Sequence, residues 1–475
     1  MNRYRYLLRN IGLLTLSSFA SRLLSFFLVP LYTNLLSTTE FGTYDLYNTT
    51  IGVLLPILTL NIQEAVMRFS IDSKYDRKSI VTVAVRYLIF SNFIVILGLL
   101  VNNVFAFSLI AKQHAIFFFL MFLAQSLSGM ITMYVRGIDK IFDLSVSSII
   151  VSVISICLNV SFLAFLHWGL VGYFIANIIG PIIQSLYLII KVNVVGDIQL
   201  RQAYLTEKNE MVKYSKPLIA NSIAWWVNNA ADRYIIVFFC GLAENGVYSV
   251  ASKIPSILNI FQTIFNQAWT LSAVKDFDPE DKNGFFTNTY KAYNCMMVVV
   301  CSGIIVFDKI LASFLYAKDF YVAWKYVPWL TIAIVFGAMS GYIGGFFAAV
   351  KDSKIFAKST VYGAITNVIL NLILTPIMGT LGAAIATAVS YFEVWIFRYL
   401  HSRRYIKIKV NVFRDLIAYV LLVCQSSILL IDMKNLYIYF LEFVMFTFII
   451  LLYVKDIVLL LNKDRNSLKT KKEVK

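Results

Sequence analysis

Four cations sit where a chain can least accommodate them. Arg22, Arg86, Arg233 and Lys253 fall inside stretches of apolar sequence long enough to cross a bilayer. A charged side chain at the bilayer centre costs about 2.5–3.5 kcal/mol on insertion scales, so each should face water, protein or a ligand rather than lipid. Arg86 lies near the end of its stretch, where its charge can snorkel to the interface. Arg22 is in the middle of the first stretch, and Arg233 and Lys253 lie in two consecutive later ones. Asp45, Glu64 and Asp232 add acids to the set, and a buried ion pair between Asp232 and a cation from a neighbouring stretch fits the same residues. Asn221, Trp225 and Asn228 share one helical face by their spacing, with Asn229 alongside. Amides beside an aromatic face can stack on and hydrogen-bond to a sugar; helix packing fits the pattern as well.

The elements that must position these residues are membrane helices. The chain has 475 residues, 59% of them hydrophobic and only 14% charged, with mean hydropathy +0.74. Soluble domains average about 45–50% apolar and about 25% charged, so a soluble protein is excluded. A helix needs about 20 apolar residues to cross the hydrocarbon core. About fourteen stretches qualify, at 11–34, 41–66, 80–103, 113–135, 143–165, 168–190, 215–239, 246–271, 287–307, 327–350, 355–376, 380–400, 411–431 and 436–458. The first follows Arg3, Arg5 and Arg9 but is too long for a signal-peptide core, and reads as retained. With a cytoplasmic N-terminus, inside segments hold 33 of the 42 Lys and Arg, including the run Arg398 to Arg414, and outside segments hold five. The positive-inside rule then places both termini in the cytoplasm. The net charge of +16 is accounted for by topology and by anionic headgroups, and nucleic acid is not an expected partner.

An internal duplication organises the spans. Phe41-Gly42-Thr43-Tyr44 opens the second, and Asn245-Gly246-Val247-Tyr248 opens the eighth. Leu158-Asn159 matches Leu370-Asn371, and Gly169-x-x-Gly172-x-x-x-Ala176 matches Gly379-x-x-Gly382-x-x-x-Ala386. Spans one to six thus correspond to seven to twelve. An even number of spans per repeat keeps both halves in one orientation, related by an axis along the membrane normal, as in some transporters. The expected organisation is an N-lobe over 1–190, a cytoplasmic linker over 191–214, a C-lobe over 215–404, two further spans over 405–460 and a basic tail over 461–475. Pro30, Pro56, Pro217 and Pro255 mark bends, and Gly341, Gly344 and Gly345 should loosen the tenth span.

Enzymatic signatures are missing. There is no GxxxxGK[ST], HExxH or GxSxG, and no paired Cys and His spacing. The five cysteines stand singly and the three histidines are scattered, so neither a disulfide framework nor a metal site is expected. The longest external loop, about 308–326, is too small for a catalytic domain.

The stretch Leu35-Leu36-Ser37-Thr38-Thr39-Glu40-Phe41-Gly42-Thr43-Tyr44 resembles the opening of Wzx-type oligosaccharide flippases. Tyr214-Ser215-Lys216-Pro217, Asn228 to Arg233, and Gly246-Val247-Tyr248 through Lys253-Ile254 resemble their second-half signature. These proteins belong to the multidrug/oligosaccharidyl-lipid/polysaccharide exporter superfamily. The resemblance, over roughly residues 10–460, implies an all-α polytopic membrane protein with two six-helix lobes, two C-terminal helices and a V-shaped central cavity. It implies alternating-access translocation of an undecaprenyl-diphosphate-linked oligosaccharide to the outer leaflet of the bacterial cytoplasmic membrane, for surface polysaccharide synthesis. Polysaccharide polymerase and assembly proteins would be its partners. The implied cavity residues are Arg22, Glu64, Trp225, Asn228, Asn229, Asp232, Arg233 and Lys253. No cofactor is expected; an Na⁺ or H⁺ gradient, the membrane potential or removal of product outside would each drive transport. A drug antiporter of the same superfamily and a lipid-linked peptidoglycan-precursor flippase are the competing readings.

Overall fold

The computed structural model describes residues 26–72, 74–431 and 435–473, in backbone alone at 111, 225, 228, 229, 267, 271, 353, 435 and 457–473. Every regular element among them is helical. The helices are α1 (Val29–Leu35), α2 (Thr38–Leu58), α3 (Ile62–Ile71), α4 (Arg77–Phe105), α5 (Leu109–Gln113) and α6 (Ala115–Gly137). Then come α7 (Ile141–Asn159, continued as a π-helical turn to Phe165), α8 (Gly169–Val192), α9 (Leu205–Cys240), α10 (Leu242–Ala251) and α11 (Lys253–Lys275). The chain finishes with α12 (Phe285–Val306), α13 (Asp308–Leu315), α14 (Val327–Ala349), α15 (Ser353–Met378), α16 (Thr380–Ser402), α17 (Val412–Ile428) and α18 (Asn435–Glu473).

Among the described residues nine helices are long and apolar enough to cross a membrane, and α2 with α3 forms a tenth candidate bent by 59°. Of the other expected spans, 11–34 lies mostly outside the described residues. The expected spans 215–239, 246–271 and 411–431 are helical but lack either the uninterrupted length or the apolarity of the rest: α9 is rich in polar residues, the eighth span breaks at Ser252, and α17 has 17 residues. A multi-pass, all-helical membrane protein results.

Contacts divide the chain into two units, Met1–Ala231 and Asp232–Lys475. The division falls inside α9, after the 191–214 segment. The reason is that the first half of α9 packs into the first unit. Met211 joins the apolar cluster of Ile62, Val66, Ile131 and Val135, Tyr75 donates to Glu210 at 2.7 Å, and Trp226 donates to the Thr49 carbonyl at 2.8 Å. Arg86 on α4 caps the connector, donating to the carbonyls of Leu200 and Ala203 at 2.8 Å and also to that of Gln202.

Within each unit the same pairings recur. In the first, α6 packs on α8, α7 on α8, and α3 on α6; in the second, α14 packs on α16, α15 on α16, and α11 on α14. These are matching spans of the duplication. Even the repeat glycines do the same work. A Cβ on Gly172 would lie 2.8 Å from the Phe162 Cβ, and one on Gly382 would lie 2.3 Å from the Leu374 carbonyl oxygen. Each glycine lets the first turn of a helix press against the end of the helix before it.

Gly341, Gly344 and Gly345 do not loosen α14, which runs unbroken. They admit neighbours: a Cβ there would meet Asn266 at 2.7 Å, Phe356 at 2.8 Å and Trp269 at 2.6 Å respectively. Trp269 fills the space by stacking on Tyr342 at 4.0 Å and donating to the Tyr342 carbonyl at 2.7 Å.

The last two spans are bound to the second unit by a buried polar network. Asn294 on α12 donates to Tyr453 at 3.0 Å and accepts from Tyr419 at 2.7 Å. Tyr453 donates to Asp415 at 3.0 Å, and Arg414 bridges Asp415 at 3.2 Å and Asp456 at 2.7 Å. The Arg414 guanidinium also lies 4.4 Å over the Tyr453 ring.

Candidate functional site

In the first unit the second span is built to break. Ser37 and Glu40 form a reciprocal capping box at its start, Ser37 Oγ accepting from the Glu40 N–H at 3.2 Å while the Ser37 N–H donates to Glu40 at 2.8 Å. Tyr32 then stacks on the buried Phe41 at 4.7 Å. The stretch from Leu35 to Tyr44 is therefore a helix start and its packing. Twenty residues on, Leu60 (φ 50°) and Asn61 (φ 53°) turn left-handed, ending α2 and starting α3. Asn61 is buried and donates to Ser222 on α9 at 3.2 Å. Such a break frees backbone groups that must find partners at membrane depth, and the half-buried Glu64 lies in the first turn after it. A polar seam runs on through this unit: Gln125 donates to Asn48 at 3.0 Å, Ser128 to Gln184 at 3.0 Å, and Gln184 to Ser147 at 3.2 Å.

In the second unit Asp232 and Arg233 are together, but as neighbours in sequence and not across helices. Arg233 Nη1 lies 3.6 Å from Asp232 Oδ1, and the Arg233 backbone N–H donates to the same oxygen at 2.9 Å. Tyr248 of α10 donates to the other oxygen at 2.5 Å. The Asp-Arg followed by Gly-x-Tyr pattern thus describes one buried carboxylate with its holders. Lys253 is half-buried and opens α11 directly after the break at Ser252. Arg22 lies outside the described residues, and Trp225, Asn228 and Asn229 are described in backbone only, within α9. Glu64 belongs to the first unit, and Asp232, Arg233 and Lys253 to the second.

Several charges escaped the sequence reading. Arg398, placed there in a cytoplasmic run, is buried within α16. Its Nε donates to Ser359 at 2.8 Å, Nη1 to the Ser340 carbonyl at 3.0 Å and Nη2 to Thr360 at 2.9 Å, while its guanidinium lies 4.1 Å over the Phe356 ring. Neutral acceptors and a ring face hold it, with no carboxylate within ion-pair distance among the described residues. Asp308, at the start of the external loop expected over 308–326, and Glu442, within the span expected over 436–458, are also buried. A lone acid in the apolar run 436–458 was the signal available for Glu442.

Residues 7–271 match the profile of the polysaccharide biosynthesis protein family. The chain belongs to that family. A probable low-salt glycan biosynthesis flippase from Haloferax volcanii is 24% identical over 197 residues, which are 40% of this chain and 41% of the relative, so the match spans less than half of that protein. The fold is that of the lipid II flippase MurJ in its inward closed conformation, at TM-score 0.66 and 16% identity over 94% of this chain and 98% of that one. An inward-facing multidrug resistance MATE family transporter of the MOP superfamily follows at TM-score 0.64 and 14% identity, over 81% and 94% of the two chains. This polysaccharide biosynthesis protein thus has the transporter fold that the stretches 35–44 and 214–254 resemble.

Proposed function

We propose that the protein is a flippase that carries an undecaprenyl-diphosphate-linked oligosaccharide from the cytoplasmic to the outer leaflet of a bacterial cytoplasmic membrane, by alternating access, with both termini in the cytoplasm. The observation that carries this reading is the family match over residues 7–271 on a chain whose fold is that of membrane transporters. The flippase named among its relatives supports it. So does the polar, broken second span, with its counterpart broken at Ser252. A large hydrated headgroup crosses hydrocarbon only where intramembrane polar groups replace its water. Arg22, Arg233 and Lys253 are the proposed contacts of the diphosphate, with Glu64, Asp232, Trp225, Asn228 and Asn229 beside the sugars. Surface polysaccharide synthesis would consume the product.

Reconstituted vesicles test it directly. Wild-type protein should move lipid-linked oligosaccharide across the membrane, and movement of only a peptidoglycan precursor or an organic cation would replace this reading. Arg22→Ala and Arg233→Glu should lower transport by at least tenfold at normal folded amount, with Arg→Lys keeping part of it, since it keeps the charge and loses the bidentate fork. Because Asp232 is held by Arg233, the Asp232→Asn/Arg233→Gln double variant separates the roles. Full transport by it and by Arg22→Ala would end the cationic-contact mechanism.

A further inference from the structure

Among the described residues, four of the six buried charged residues in the second unit have partners: Asp232, Arg398, Asp415 and Asp456. Asp308 and Glu442 have none. Both residues have 0% exposure, and all four of their carboxyl oxygens lack a hydrogen-bond partner. Asp308 is the first residue of α13, just past the end of α12; Glu442 lies two turns into α18, which packs along α12. Gln425 links the end of α12, six residues before Asp308, to Glu442: it accepts from Ser302 and donates to the Glu442 carbonyl.

The groups around them come from every packed element. Ser302 of α12 donates to Gln425 of α17 at 2.7 Å. The Gln425 amide approaches the Glu442 side chain, but its N–H is directed at the Glu442 backbone carbonyl, at 3.3 Å. Tyr439 of α18 lies within electrostatic reach of Asp308 and of Tyr321 from the turn before α14. Lys309 is the cation at hand, and it is spent on the Trp324 ring, 4.5 Å away, with no ion pair to either acid.

Two adjacent carboxylates cannot both stay charged in such a place. Desolvation costs several kcal/mol per ion, and like charges raise each other's affinity for a proton. A hard metal cation would need at least six oxygen ligands, yet no group of three acidic, His or Cys ligands forms among the described residues. A proton needs only one oxygen. We propose that Asp308 and Glu442 form a proton-binding acid pair that is protonated in this conformation and loses its proton to water when α18 and the turn after α12 part, tying proton movement to transport. Coupling to transport rests on the flippase reading; the protonation itself does not. Burial also pushes the Asp308 carboxyl well above the usual carboxylate range.

The sign of the pH effect follows. A carboxyl with a raised folded pKa stabilises the fold below its unfolded pKa of about 4 and loses that contribution as pH rises towards the folded value. Three measurements on the full-length protein in lipid test the pair. At pH 7 an infrared band of protonated carboxyl, shifting in D₂O, should weaken in Asp308→Asn and in Glu442→Gln and weaken further in the double variant. The wild-type melting temperature should fall between pH 5 and 8, and the double variant should lack that fall. An imposed proton gradient should speed wild-type transport at least threefold and leave the double variant at its gradient-free rate.

An unchanged infrared band in folded variants would overturn the pair, while leaving the flippase reading standing. Stabilisation by NaCl over choline chloride that vanishes in the variants would make it a sodium site and overturn it too. Loss of folding in both neutral single variants would show that charge, not a proton, is needed there. If wild-type protein moves no glycolipid but the infrared and melting results hold, the flippase reading falls and the acid pair survives.

Discussion

The two units share their helix pairings but not their interiors. Among the described residues, every fully buried polar side chain of the first unit is neutral, from Thr33 to Ser215. The second unit buries Asp232, Asp308, Arg398, Asp415, Glu442 and Asp456. The duplicated part of the second unit accounts for Asp232, Asp308 and Arg398, and the two added helices bring Asp415, Glu442 and Asp456, whereas the first unit carries amide and hydroxyl seams. Interhelical hydrogen bonds in membranes average only about 0.6 kcal/mol, whereas a misplaced charge costs several times that. The first unit is thus the forgiving half, and the second the half in which single changes should be felt.

The sharpest way to break this contrast is at Arg398. Arg398→Ala removes three hydrogen bonds from a charged donor, each worth about 1.5–3 kcal/mol, and leaves the Ser359 and Thr360 hydroxyls with only the Phe356 carbonyl as partner. Folded yield in membranes should collapse, and Arg398→Lys should rescue only part, because a point charge cannot fill three directions at once. Near-normal yield of Arg398→Ala would show that the second unit tolerates what it buries.

Next in size are the repeat glycines. Gly382→Ala drives a methyl into backbone, and Gly172→Ala drives one against a side-chain carbon, 2.3 Å and 2.8 Å away respectively. Overpacking of this kind costs about 1–3 kcal/mol, with Gly382 at the upper end. Melting temperatures of the two variants should fall in that order; equal shifts would mean that the end of α15 yields as easily as Phe162.

The smallest effect should come from the first unit's seam. Gln184→Leu breaks the links to Ser128 and Ser147 and, at about 0.6 kcal/mol each, should lower stability by about 1 kcal/mol, a shift of a few degrees at most. A collapse comparable to Arg398→Ala would remove the distinction between the units.

Much of this was legible in the sequence because hydropathy and repetition are read over long windows. The spans from Arg77 to Val192 and from Phe285 to Ser402 lie where their apolar runs place them. The matched glycines at 172 and 382 mark equivalent turns. Arg398 falls within the span expected over 380–400, yet charge density alone groups it with the basic run to Arg414; α16 continues to Ser402 and buries that cation. The role of Asp232 was half visible. An acid beside a cation signals a pair, but that Tyr248 completes it requires knowing how α10 lies against α9. Glycines in α14 read as weakness because a sequence shows what a residue lacks and not which neighbour occupies the space.

The network around Asn294 also has a consequence for how the protein is made. Its partners Tyr419 and Tyr453 lie 125 and 159 residues later in the chain. At a synthesis rate of about 5–20 residues per second, α12 waits on the order of ten seconds or more in the bilayer with a bare amide before its last partner leaves the ribosome. α17 and α18 therefore act as a lock that closes only after α12 to α16 have been made. A chain cut short after α16 keeps the helices before it, yet presents an unanswered Asn294 amide, a defect by which membrane quality control can recognise a copy that lacks α17 and α18.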